Sequence, residues 1–403
     1  MINDISSIPD LAIHTILDLI RSAGPITRSK LSDLSGFSRP TISKNCDQLL
    51  NIGLIEEESI ILHGETGKRT KLKLRGNFRT IVGIELGATS VEFGLCDISS
   101  KILAFHSYPI DLSRGPDYIL DFVISCIAEL YSRTDFHMDR LLGVGLGLPA
   151  RVDYRAGKAI HPAFMPGWDR YPIRELLSQR LNRPVYVDND ANSMALGELH
   201  YGAGQNVKNL IFIKAGSGIG AGIIIDGRIY RGETGFAGNI GHVYVDGRTD
   251  LCKCGRRGCL EAIAGGSAIA CKAKEAIGIN ETSILADVVV REGKCTAREV
   301  SLAAEAGDPF SSNLIKETGI LIGEQVGRMA FLFDPGRVII GGGLTGFGPA
   351  YLSYIREGVF KAMRPWTSAN LEVCTSAFGE KCGVVGAALL VLQELFQAGS
   401  LVV

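Results

Sequence analysis

The sequence has no run of about 18 unbroken apolar residues, so it offers no transmembrane helix. Its amino terminus, MINDISSIPDLAIH, lacks a basic segment followed by an apolar stretch. The expectation is a chain without a secretory signal that works in the cytoplasm and does not engage a membrane. No low-complexity segment is present, and 46% of residues are hydrophobic, which excludes a mainly disordered chain. The pattern GxxxxGK[ST] does not occur, so a Walker-type phosphate loop is excluded. Neither sign of charge dominates, with 42 Lys and Arg against 43 Asp and Glu. Affinity for nucleic acid would therefore have to come from a local patch.

Glycine is abundant, at 49 of 403 residues, and clusters beside apolar runs. That suggests tight turns, or backbone approaching phosphates or sugars. The length predicts two or three domains. Of the ten cysteines, Cys46, Cys96, Cys126, Cys271, Cys295, Cys374 and Cys382 stand singly among apolar neighbours and read as small core hydrophobes. Cys252, Cys254 and Cys259 crowd together. In a cytosolic chain, where disulfides are rare, that trio reads as a metal site.

Residues 10–23 carry Leu11, Ile13, Ile16, Leu17 and Ile20 at helical spacing. Gly24-Pro25 ends this helix. A second helix is predicted over 29–35. A third starts with Ser38 as N-cap and Pro40 in its first turn, and stops at Gly53. Two strands around a tip near Gly64–Gly67 follow. Between Lys68 and Arg79 lie six basic residues and no acidic one. The stretch 1–75 resembles a winged helix-turn-helix domain. In that reading Arg39, Thr41, Ser43, Lys44 and Asn45 face the major groove of double-stranded DNA. Lys68 and Arg69 lie at the wing tip, on phosphates or in the minor groove. A three-helix protein-interaction module with a solvated basic hairpin is the competing reading.

From Ile81 the texture changes. IVGIELGATSVEFGLCD reads as strand, glycine turn, strand, and NLIFIKAGSGIGAGIIID repeats it. Setting Gly87 on Gly216 also pairs Ile84 with Ile213 and Asp97 with Asp226. Two such hairpins suggest duplicated α/β lobes around a cleft, each turn offering backbone N–H groups to a phosphate.

This pattern resembles the sugar-kinase, hexokinase and actin superfamily, and more narrowly the ROK family of repressors and sugar kinases. The resemblance spans essentially the whole chain. ROK kinases show D-x-G-G-T and L-G-T-G in the two turns. Here they read Glu85-Leu86-Gly87-Ala88-Thr89 and Ala215-Gly216-Ser217-Gly218. The segment IIGGGL, with Gly341 and Gly342, resembles the strand and turn that meet adenosine. The kinase Asp helps organise Mg²⁺ and phosphates. Glu85 is one methylene longer and would intrude there, and Ala88 adds a Cβ where backbone should approach. Phosphoryl transfer tolerates little displacement. ATP and Mg²⁺ are therefore not expected as cofactors.

PVYVDNDANSMALGE is a strand ending in Asp188-Asn189-Asp190 before a helix, and ligands bind at such strand ends. By resemblance, Asn189 and Asp190 bind the sugar, and Asp190 is the general base if kinase activity survives. Helix capping is the plainer role for such residues. LGVGLGLPARVD, where Ala150 replaces the family's Gly, and MPGW resemble pocket walls. Trp168 could stack on a sugar or fill the core.

The set His242, Cys252, Cys254 and Cys259 supplies one imidazole and three thiolates, a closed tetrahedral shell for one structural zinc. CxCGxxGCxE is also a ROK signature. The resemblance brings Glu261 and His242 to the sugar, with the metal fixing the imidazole through its other nitrogen. The kinases usually have E-x-G-H where this chain has Asn239-Ile240-Gly241-His242. Asn239 still offers a donor and an acceptor.

The expected architecture is an N-terminal winged helix-turn-helix followed by two ribonuclease H-like α/β lobes. The resemblance puts the first lobe at 76–196 plus 383–403 and the second at 197–382. The expected function is a sugar-responsive regulator, a repressor, binding a palindromic operator as a homodimer or dimer of dimers. Its effector is a sugar or sugar phosphate in the cleft. The alternatives are an ATP-dependent sugar kinase that binds DNA and a zinc-stabilised scaffold with an empty cleft.

Overall fold

A computed structural model describes residues 11–61, 68–279, 283–364 and 370–396. The chain opens with α1 (Leu11–Ala23), α2 (Arg28–Ser35) and α3 (Arg39–Ile52). Local chemistry sets these boundaries. The Thr27 side chain accepts from Lys30 N and caps α2, and Gly36 closes it at φ 74°. Ser38 accepts from Thr41 N to start α3, and Gly53 ends it at φ 82°. Strands β1 (Ile55–Ile61) and β2 (Lys68–Leu74) pair antiparallel, with Ile26 bridging to Leu72. The wing tip near Gly64–Gly67 lies outside the described residues.

The first lobe runs through β3 (Thr80–Leu86), β4 (Ser90–Asp97), β5 (Ile102–Pro109), α4 (Pro116–Ser132) and β6 (Leu141–Leu148). A small hairpin, β7 (Val152–Asp153) and β8 (Lys158–Ala159), leads to α5 (Ile173–Leu181), β9 (Val185–Asn189) and α6 (Asp190–Tyr201). The second lobe has β10 (Leu210–Ala215), β11 (Ile219–Ile225) and β12 (Arg228–Ile229). Five helices follow: α7 (Leu260–Ala264), α8 (Gly266–Ile279), α9 (Ile284–Glu292), α10 (Ala297–Glu305) and α11 (Pro309–Phe333). Next come β13 (Arg337–Gly341), α12 (Pro349–Ala362), β14 (Glu372–Thr375) and the last helix, α13 (Cys382–Phe396).

The two sheets repeat one topology. Their orders are β5-β4-β3-β6-β9 and β12-β11-β10-β13-β14. In each, three strands meander antiparallel and the first of them is joined on its other side by two parallel strands. Helix α13 lies directly on the first sheet. A Cβ at Gly145 would fall 1.8 Å from Ala387 O, and one at Gly83 2.0 Å from Val384 O. The approach therefore requires glycine on the strands.

The winged head shares its core with the body. Ile13, Ile16, Leu17 and Leu49 belong to the same buried cluster as Met194, Leu196 and Leu199 of α6 and Val385, Leu389 and Leu392 of α13. Apolar burial thus ties head to lobe, and the 3-10 turn Gly76–Phe78 is the short link between them. Trp168 is fully buried in the first-lobe core, so it is packing rather than a sugar platform. Cys271, expected in the core, is exposed on α8. Among the described residues no helix is long and apolar enough to cross a membrane.

Candidate ligand cleft and metal centre

Three elements converge between the lobes: the end of β3, the first turn of α6 and the end of β10. Asn189 caps α6, its Oδ1 accepting from Ala191 N at 3.0 Å, while its Nδ2 donates to Ala150 O at 3.0 Å. Its amide is thus fixed by local bonds. Asp190 accepts from Ala191 N through Oδ1 at 2.7 Å and points Oδ2 across the cleft. There it accepts from Lys214 Nζ at 2.7 Å, and the same ammonium donates to Glu85 Oε1 at 2.9 Å. Both carboxylates are buried.

Lys214 is a cleft residue that sequence reasoning missed. A signal was present: the alignment that sets Gly87 on Gly216 also sets Glu85 on Lys214. Burial pulls the Lys214 pKa down, but Asp190 and Glu85 more than offset this and raise it, so the ammonium stays charged. Burial also raises the Glu85 pKa, the Asp190 charge adds to that, and Lys214 opposes it. The second Glu85 oxygen, Oε2, is buried without a hydrogen-bond partner and lies against Gly383 in the first turn of α13. That end of a helix favours negative charge. A second tie between the lobes joins Arg231 Nε to Asp188 Oδ2 at 2.9 Å, with the guanidinium 3.7 Å from the Tyr154 ring centroid.

Both glycine turns close on themselves. Gly87 N donates to Ser90 O at 2.8 Å and Gly216 N to Gly218 O at 2.9 Å, so neither amide is turned to a ligand. Thr89 and Ser217 are exposed at the turn tips. Gly341 and Gly342 have packing reasons: a Cβ on either would lie 2.5 Å from Phe212 Cζ or Ala215 O respectively.

Strand β11 links the α6 side of the cleft to the metal loop. Ile219 N donates to Glu261 Oε2 at 2.9 Å, which lays the Glu261 carboxylate over the second glycine turn. Glu261 sits in the first turn of α7, whose N-cap is Cys259. On the same side of β11, Asn239 precedes the 3-10 turn Ile240–His242 and is half-buried.

His242, Cys252, Cys254 and Cys259 bring their ligand atoms within 4.8 Å of one another. Cys252 Sγ lies 3.6 Å from His242 Nδ1, and Cys254 Sγ 3.7 Å from Cys259 Sγ. Tetrahedral zinc with Zn–S of about 2.3 Å and Zn–N of about 2.0 Å gives edges of roughly 3.5–3.8 Å, so the donor set fits. Nδ1 faces the thiols, which leaves Nε2 for another partner. The backbone frames the loop through Cys252 N to Arg256 O and Gly258 N to Asp250 O, and Arg256 donates to His242 O.

In the head, Arg39 and Lys44 are exposed on α3 and Thr41 is half-buried, its hydroxyl bonded to Ser38. Ser43 accepts from Arg28 Nη1 at 3.0 Å. Asn45 does not face outward. It is 2% exposed on the core side of α3, with Oδ1 unpartnered, because it follows Ile42 by three residues and shares its face. Lys68 and Arg69 stand in β2 opposite Ile61 and Ile60, and their side chains lie outside those described.

A winged head on two lobes of repeated topology, with a CxCGxxGCxE loop beside the cleft, defines a class that joins DNA-binding regulators to sugar kinases. A sequence model of the ROK family matches residues 81–394, and the chain belongs to that family. It is 28% identical over 390 residues to the xylose repressor of Caldicellulosiruptor bescii, covering 96% of this chain and 95% of that one. It is 31% identical over 318 residues to a glucokinase of Halalkalibacterium halodurans, covering 78% of this chain and 96% of the enzyme. A crystal structure of a ROK family transcriptional regulator, described as a homologue of the E. coli MLC protein, superposes with a TM-score of 0.80 at 26% identity, over 96% of both chains.

Proposed function

We propose that this protein is a sugar-responsive transcriptional regulator, acting as a repressor, with its winged head on DNA and its effector between the lobes. The observation that carries this reading is the shared core of head and body. Helix α6 holds Asn189 and Asp190 at its cleft end. Its last turn places His200 close enough to Arg21 of α1 for that charge to act on it. An effector at the first turn therefore acts on a helix packed against the head. It changes DNA affinity only by binding two arrangements of the molecule unequally. The full-length match to a xylose repressor, against a body-only match to a glucokinase, supports the same reading.

In this proposal two chains, as a homodimer or within a dimer of dimers, set two heads on a palindromic operator in the cytoplasm. One structural zinc per chain, held by His242, Cys252, Cys254 and Cys259, fixes the imidazole and, through Cys259, the helix bearing Glu261. Zinc supplies rigidity there. Asn239, His242, Glu261 and Asp190 offer the hydrogen-bonding groups for a sugar. Glu85 and Lys214 stand against phosphoryl transfer, because Asp190 is engaged by an ammonium rather than free to accept a hydroxyl proton. ATP and Mg²⁺ are not required.

The test is selection of genomic fragments by the purified protein, with and without mixtures of sugars and sugar phosphates. Enrichment of a palindrome, lost with one mixture, is the expected result. No enrichment at low salt in either condition overturns the regulator reading. ADP release with any sugar, abolished by Asp190→Asn, would replace it with the kinase.

A further inference from the structure

Lys214 sets the charge of the cleft. Two carboxylates, Glu85 and Asp190, share one ammonium, and both are buried, so their field is little screened by water or salt. Among the described residues no other Lys or Arg is bonded to either. The nearby guanidinium of Arg231 is held by Asp188. Glu261 adds a further carboxylate at the second glycine turn. Both turn amides that a phosphate would need, at Gly87 and Gly216, are bonded within their own turns.

We infer that the Lys214 bridge fixes the ligand class of the cleft as an uncharged sugar and turns away the sugar phosphate. This rests on the sugar-responsive reading given above. Carboxylates only accept hydrogen bonds, and a sugar hydroxyl donates one. The ammonium has three N–H groups and uses two on Glu85 and Asp190, so the third is available to a ligand oxygen. A phosphate brings further negative charge to the bridge, where two buried carboxylates face one ammonium already bonded to both. The same ammonium occupies the point between the two carboxylates where a divalent cation would otherwise be drawn, and it offsets one of their two negative charges. Lys214 acts here as a positioning and specificity-determining residue through the carboxylates it holds.

The experiment is calorimetric titration of the full-length protein at pH 8 with a panel of neutral monosaccharides and the phosphates of the same sugars. One neutral sugar binds, and its phosphate binds at least tenfold more weakly. The readout for the bridge is the ratio of the two affinities in charge variants. Glu85→Gln removes one negative charge at constant shape and narrows the ratio at least threefold. Lys214→Met removes the positive charge and widens it. Opposite movements follow charge, whereas a purely structural role shifts both ligands together. If Lys214→Met does not fold, Glu85→Gln alone decides. A phosphate that binds more tightly than its parent sugar, or a ratio indifferent to Glu85→Gln, overturns the inference and leaves the regulator reading intact. Binding of neither class overturns both.

Discussion

Glu85 and Lys214 occupy equivalent positions in the two repeated lobes, 129 residues apart, and meet across the cleft at 2.9 Å. The repeat brings the end of β3 against the end of β10, so residues at matching positions face each other. One carries a carboxylate and the other an ammonium. Asp190, on the helix after β9, completes the bridge at 2.7 Å. The cleft is closed by its own ion pairs, and any ligand of Asp190 competes with, or joins, Lys214.

The fit of Glu85 against α13 predicts a steric conflict. A Cβ at Gly383 would fall 1.1 Å from Glu85 Oε2. Gly383→Ala must displace the carboxylate and should cost about 1–3 kcal/mol by urea unfolding. Adding Glu85→Ala should recover part of that loss, because the clash then has no second partner. Additive effects of the two changes would show that they do not touch in solution.

His200 predicts the acid limb of stability. Burial, then the charge of Arg21, hold its pKa down to about 3 from an ordinary 6.5. The unfolded chain takes up a proton below pH 6.5 that the folded chain refuses until about pH 3. Stability from this residue is therefore present above pH 6.5 and lost as pH falls. Between about pH 7.5 and pH 5 the loss should be about 2 kcal/mol. His200→Leu should remove that share of the difference between the two urea midpoints. An unchanged difference would place the histidine outside the head–body interface.

The metal loop predicts a linked loss. Cys259→Ser removes one thiol of the candidate metal set, at the N-cap of α7. Metal content should fall from one zinc per chain, and the sugar-induced rise in melting temperature should shrink with it, because Glu261 leaves its bond to Ile219 N. Retained zinc with a full sugar response would argue against the assigned ligand set.

Helix α3 predicts two kinds of variant. Arg39→Ala and Lys44→Ala, both exposed, should weaken DNA binding, and each phosphate left without its cation should lower the salt slope by about 0.9. Asn45→Ala should shift the unfolding midpoint and leave that slope alone, since the side chain is buried. A slope change in Asn45→Ala would mean that the helix turns this face to DNA.

Features governed by neighbours along the chain were legible in the sequence. The caps at Ser38 and Gly53, the wing strands, the two glycine hairpins and the last helix follow from local propensity and pattern. So does the His/Cys cluster, because three of its four members lie within one tight loop whose turns their spacing dictates. The tertiary structure alone decided which faces meet. It buried Trp168, left Cys271 exposed, merged the core of the head with α6 and α13, and put Lys214 between two carboxylates from distant segments. The reason is that burial and ion pairing depend on separation in space. The repeat sets Lys214 on Glu85 by position, but only the meeting of the two lobes brings its ammonium onto that carboxylate and onto Asp190.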